Sequence, residues 1–148
     1  MDDRKKNLLI LRILLVCGGF GFFISIFGVF MPWPAVAEQL EGLGAKELPA
    51  DPMLNYWLRM QAGANTFVGL FFFAIAMNPK KYSVVLPFAW ILLIGEGILL
   101  LIWGLSLRLS PLPFVVDSTF CLIIGVGILL ASRLLQKEML ITDAGANE

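Results

Sequence analysis

With 148 residues, 59% hydrophobic and only 15% charged, the chain has the length of one domain. It is also more apolar than a soluble domain, which runs roughly half apolar and a quarter charged. Eleven basic residues balance eleven acidic ones with no basic block, which speaks against a nucleic-acid partner, and the absence of histidine removes the commonest metal ligand, the usual haem ligand and the usual proton shuttle.

Arg4, Lys5 and Lys6 precede a first apolar run over about 8–31. Ala35-Val36-Ala37 has the form of a signal-peptide cleavage site, but the run before it has 24 positions. A signal core needs about 7–15, so a retained membrane helix is expected. Residues 32–55 form the one sizeable loop, with Pro32, Pro34, Pro49 and Pro52. Within it Val36, Leu40 and Leu43 recur at helical spacing while Glu38, Gln39 and Glu41 face away, and Gly42 and Gly44 stand at the end. That predicts a short amphipathic helix on the membrane surface with Trp33 as its interfacial anchor.

A second apolar run covers about 57–77 and ends at the basic turn Asn78-Pro79-Lys80-Lys81. A third covers about 84–107, with Pro87 in its first turn, and a fourth about 114–131 follows Ser110-Pro111-Leu112-Pro113. A disordered polar tail is expected over about 142–148. Runs of this length read as membrane spans. The expectation is therefore an all-α integral membrane four-helix bundle over 1–148, with a short amphipathic interfacial helix in its first outer loop.

Arg4, Lys5, Lys6, Lys80, Lys81, Arg133 and Lys137 fall on one side of these spans, and Lys46, Arg59 and Arg108 on the other. The basic side is expected to be cytoplasmic, so both termini lie inside and the 32–55 loop outside. The expected location is the cell membrane, of bacterial inner-membrane type. Small residues recur within the spans, with small-xxx-small spacing at Gly21/Ser25 and Gly127/Ala131. They either pack the chain's own helices or form a homo-oligomer contact through Gly-rich faces. Cys17 and Cys121 lack a CxxC partner and read as small buried hydrophobes.

Charge inside a membrane costs roughly 2.5–3.5 kcal/mol at a helix centre on insertion scales, so each intramembrane charge needs a reason. Glu96 lies 12 residues after Val84 and 11 before Leu107, near the midplane. Its own helix offers Leu92, Leu93, Leu99, Leu100 and Trp103, none of which can satisfy it, and Trp103 shares its face. Asn65 and Thr66 lie at a similar depth on the second span, with Gln61 one turn above. Two readings of Glu96 stay open. It is a neutral acid hydrogen-bonded to Asn65, or a proton donor, relay or anchor for a lipophilic ligand. Arg59 matches Asp117 in depth, with Arg108 a second candidate, so an Arg59–Asp117 bridge is expected; otherwise the two hold a polar headgroup or a partner's charge. Arg12 reads as snorkelling back to the cytoplasmic face.

The basic start, the Pro-rich outer loop, Arg59-xxx-Gly63, Glu96-Gly97 and the Pro-flanked start of the fourth span together resemble small four-helix bacterial membrane proteins, the DoxX-like and BphX-like families. The resemblance covers most of the chain, rests on layout rather than a specific motif, and implies a membrane protein and no catalytic residue.

Short loops and sparse polar residues favour a non-enzymatic module that binds a lipophilic ligand or serves as accessory subunit of a larger membrane complex. Glu96, Asn65, Gln61, Arg59, Asp117 and Trp103 are its candidate ligand-binding residues. No catalytic residue, metal or cofactor is expected, and the partners are membrane lipids and a protein partner or second copy. The alternative is a membrane-embedded enzyme of isomerase type acting on a lipid, sterol or quinone, with Glu96 as acid/base and Asp117 or Arg59 orienting. A channel or carrier ranks last, because the cytoplasmic halves of the spans are almost wholly apolar.

Overall fold

Prolines and glycines mark where each helix begins and ends. The computed structural model describes residues 3–46 and 48–145, and these are all-helical. In chain order α1 is Asp3–Phe23, α2 Ile26–Phe30, α3 Trp33–Gly42, α4 Pro52–Met77, α5 Leu86–Ser106 and α6 Pro111–Gly145. Four segments are long and apolar enough to cross a membrane: Lys5–Phe30, Pro52–Met77, Leu86–Ser106 and Pro111–Lys137. Their apolar faces mostly point outward. Only 17% to 39% of an apolar 18-residue stretch within each segment is buried within the chain, and Phe20, Phe30, Phe67 and Ile123 are among the exposed side chains. Apolar surface on that scale needs lipid around it, which makes this a multi-pass membrane protein.

Several helix ends differ from expectation, each for a local reason. The first span is broken at Ile24–Ser25. There Ser25 N–H donates to the Phe22 carbonyl at 3.1 Å and Gly28 N–H to Ser25 at 2.9 Å, so the chain tightens to i→i+3 bonding for one turn. The second span starts five residues before Trp57. Asp51 caps it by accepting from Met53 N–H at 2.7 Å, and Pro52 takes the first helical position, so this Asp-Pro pair opens a helix. In the same way Pro111 opens α6. α6 continues to Gly145, so the tail expected from Thr142 is helical that far, and 146–148 lie outside the described residues.

The amphipathic helix expected in the first loop is α3, with Pro34 in its first turn. It stops as its glycines predict. Gly44 has φ +103°, its N–H donates to Glu41, and Ala45 N–H reaches back to the Leu40 carbonyl at 2.9 Å. This is a Schellman stop. α5 ends in the same geometry, with Leu109 N–H donating to Gly104 at 3.1 Å, but its left-handed residue is Arg108 at φ 51°. A non-glycine side chain there costs about 1–2 kcal/mol. Arg108→Gly is expected to stabilise the protein by about 1 kcal/mol, after the extra chain entropy of glycine is counted. A detergent thermal melt checks this, and an unchanged or lowered midpoint would mean the Arg108 side chain makes offsetting contacts.

The helices pack α4 against α1, α1 against α6 and α6 against α5, while α4 and α5 share no packed seam. Glycine brings these seams together. A Cβ on Gly69 would lie 2.6 Å from the Phe23 nitrogen and 2.7 Å from the Gly19 carbonyl oxygen, so α1 and α4 meet backbone to backbone. Gly21 and Gly104 instead receive the rings of Phe120 and Phe114, and Gly127 receives Leu14. Most of the intramembrane glycines are thus in contact with their own chain. Gly63 and Gly95 have nothing near them.

The core is lopsided. Its fully buried residues include Leu11, Leu15, Phe72, Ile75, Leu86, Leu93, Ile128 and Leu135. All of these belong to the half of the molecule that carries the termini and the 78–85 turn. The other half, toward the 32–51 loop, holds a cavity where that core would continue.

Candidate functional site

Glu96 is the eleventh of the 21 residues of α5, about 15 Å from either end at the usual helical rise. Asp117 lies about 9 Å into α6 by the same measure. Gln61 and Asn65 stand one turn apart on α4. The packing brings these four together with Ser25, from the break between α1 and α2, around one chamber of about 610 Å³. Gly21, Phe22, Leu100, Phe120 and Cys121 complete much of its wall. Because α4 and α5 share no packed seam, the chamber lies beside a gap in the helix array.

A second cavity of about 600 Å³ adjoins it and shares Ile24, Ser25, Gln61 and Asn65. Its remaining wall is mostly apolar: Phe27 from α2 and Met31 at its C-cap, Leu58 from α4, and Val36 and Leu40 from α3 with Leu43 at its C-cap. The apolar stripe of the amphipathic helix therefore covers a groove in the protein. Gln39, expected to face away, lines this groove as well, because it neighbours Leu40 and Leu43 on the edge of the same face.

Three sequence expectations need correction. No Arg59–Asp117 bridge forms. Arg59 Nε donates to Asn55 Oδ1 at 2.8 Å, and its guanidinium donates to the carbonyls of Val29 and of Met31, the latter at 3.0 Å. It caps the end of α2, because the helix stops at Phe30 and leaves its last carbonyls without intrahelical donors. Arg108 is exposed in the turn after α5 and does not pair with Asp117. Second, Asn65 does not bond Glu96; its Oδ1 accepts from Gln61 Nε2 at 3.0 Å on its own helix. Third, Trp103 lines neither cavity and is 59% exposed, since α5 has no α4 neighbour to cover that face near its end.

Glu96 and Asp117 thus have no hydrogen-bond or ion-pair partner among the described residues. Thr66 satisfies its own hydroxyl on the Ala62 carbonyl at 2.8 Å, and Arg12 donates to the Met77 carbonyl at the end of α4. Ser118, buried one position past Asp117, has a hydroxyl without a partner among the described residues. Cys121 is buried but Cys17 is exposed on the outer face of α1.

No family model, curated protein or solved structure matches the chain. The site must be read from its own chemistry. With the Gln61–Asn65 bond made, the Asn65 amide N–H and the Gln61 carbonyl oxygen remain for a ligand, together with the Ser25 hydroxyl. The two carboxylates add strong acceptors. Among the described residues no lysine or arginine lines either cavity. Among the described residues no group of three or more His, Cys, Asp or Glu could hold a metal.

Sequence reasoning reached Glu96, Asp117, Asn65 and Gln61 through the cost of polar groups in a membrane. It passed over Ser25, Phe22, Phe120 and Cys121. Their residue types fit an apolar span equally well, and only the helix break and the seams turn them toward the chamber.

Proposed function

We propose that this protein is a non-enzymatic membrane-embedded module that binds a lipophilic molecule with a polar end or serves as an accessory subunit of a larger membrane complex. One observation carries the reading: intramembrane polar residues from α4, α5 and α6 converge on a single chamber that continues into an apolar groove. Each cavity lies within the roughly 300–1,000 Å³ range of small-molecule sites. The excess of basic residues near the termini and the 78–85 turn supports cytoplasmic termini, with α3 and the groove outside. The layout likeness to DoxX-like and BphX-like proteins and a bacterial inner-membrane location belong to the same proposal.

Native mass spectrometry of protein extracted mildly from its own membranes tests it. A lone chain retaining a defined small molecule, lost on Glu96→Gln, is the expected outcome. A chain that carries neither a small molecule nor a further subunit would sink the reading.

A second reading is an isomerase-type enzyme acting on a lipid, sterol or quinone. It is supported by two carboxylates in one chamber, where one can donate a proton while the other accepts. It requires turnover that falls with either Glu96→Gln or Asp117→Asn. A channel is disfavoured by the buried apolar side chains that fill the terminal half, so vesicles carrying the protein should show no proton uptake above empty ones.

A further inference from the structure

The charges around the chamber narrow the class of ligand. A carboxylate at membrane depth is stabilised by a countercharge or by several donors. The described residues supply neither to Glu96 or Asp117. Arg59 stands at this level of the span but is engaged by Asn55 and by the carbonyls of Val29 and Met31. The amide pair next to the carboxylates has bonded to itself through Gln61 and Asn65. The rings of Phe22 and Phe120 share the wall, and aromatic faces attract cations. Among the described residues an anionic head would meet two carboxylates and no basic side chain.

The adjoining groove defines the rest of the ligand. It shares four residues with the chamber and is lined by apolar side chains up to Val36 and Leu40 of α3 and Leu43 at its C-cap. Its occupant is therefore continuous with whatever fills the chamber.

We infer that chamber and groove together hold one cationic amphiphile, with a positively charged amine or quaternary ammonium head beside Glu96 and Asp117 and a hydrocarbon tail along the groove beneath α3. This rests on the binding reading above and specifies its ligand class. The gap between α4 and α5 gives such a molecule a lateral way in from the bilayer.

Photolabelling of the intact protein in maltoside micelles tests this. Two probes share a diazirine-bearing dodecyl chain; one ends in trimethylammonium and the other in a hydroxyl. The ammonium probe is expected to label residues of α2 and α3 saturably, at concentrations about tenfold or more below those the alcohol needs, as the loss of a charged contact would give. The Glu96→Gln, Asp117→Asn double variant should bring the ammonium probe to the alcohol's level while its melting midpoint stays near wild type. The comparison of probes on the wild-type protein does not depend on that variant folding. Equal saturable labelling by both probes would overturn the charge inference and leave the binding reading standing. Saturable labelling by neither would remove both.

Discussion

Gly69→Val is expected to prevent α1 and α4 from closing, with a loss of at least about 3 kcal/mol, at the upper end of what overpacking costs. The reason is what a side chain would meet. At Gly69 the nearest atoms are the Phe23 nitrogen and Cα and the Gly19 carbonyl oxygen, all backbone and all within 2.9 Å of an added Cβ. A side-chain neighbour could rotate away, but backbone moves only with its whole helix. Even Gly69→Ala, which gains about 1 kcal/mol of helix propensity, should lose stability overall. Gly63, six residues earlier on the same helix, is the control. Nothing lies within 4 Å of its added Cβ, so Gly63→Ala should be neutral or stabilising by up to about 1 kcal/mol. Thermal melts of the variants in one detergent compare them. Equal behaviour of the two alanine variants would show that the Gly19–Gly69 crossing is not what holds α1 to α4.

Arg59→Met is expected to cost roughly 2–4 kcal/mol, since hydrogen bonds to a charged donor contribute about 1.5–3 kcal/mol and two carbonyls would be left without it. Methionine keeps the apolar stem out to about the position of Nε, so most of the loss comes from the guanidinium's hydrogen bonds rather than from packing. Arg59→Lys should recover only a fraction, because an ammonium cannot reach the Asn55 side chain and two carbonyls with the fixed fork of a guanidinium. The loss should release the end of α2, which lines the apolar groove through Phe27 and Met31, and so weaken ligand retention as well. A double-mutant cycle with Asp117→Asn separates this from the ion pair that depth matching suggests. Independent sites add to within about 0.5 kcal/mol, and a coupling well above that would restore an Arg59–Asp117 interaction.

Both cases rest on distinctions that residue type does not carry. Gly63 and Gly69 are the same residue on one helix, and they differ only in what the neighbouring helix places beside them. Arg59 and Asp117 were matched by depth along their spans, but depth leaves open which face of a helix a side chain takes. Helix α2 stops at Phe30 and leaves its last carbonyls needing a donor, and they lie beside Arg59. The Asp51-Pro52 start of α4 is a capping signal, but the apolar run counted from Trp57 does not reach it, because Asn55 interrupts that run.

The sequence by itself determined the helical class, the four membrane-length segments, the amphipathic α3 with its glycine stop, and the presence of Glu96 and Asp117 at membrane depth. These follow from hydropathy, helical periodicity and turn chemistry, all of which act within a few residues along the chain. Tertiary structure alone decided which side chains meet: the close-packed terminal half, the chamber that gathers Gln61, Asn65, Glu96 and Asp117, and the engagement of Arg59 by the end of α2. Those depend on how each helix is rotated about its axis and which seams close. In a bilayer, where lipid is as apolar as the helix faces, small-residue contacts and hydrogen bonds set that choice more than the apolar pattern does.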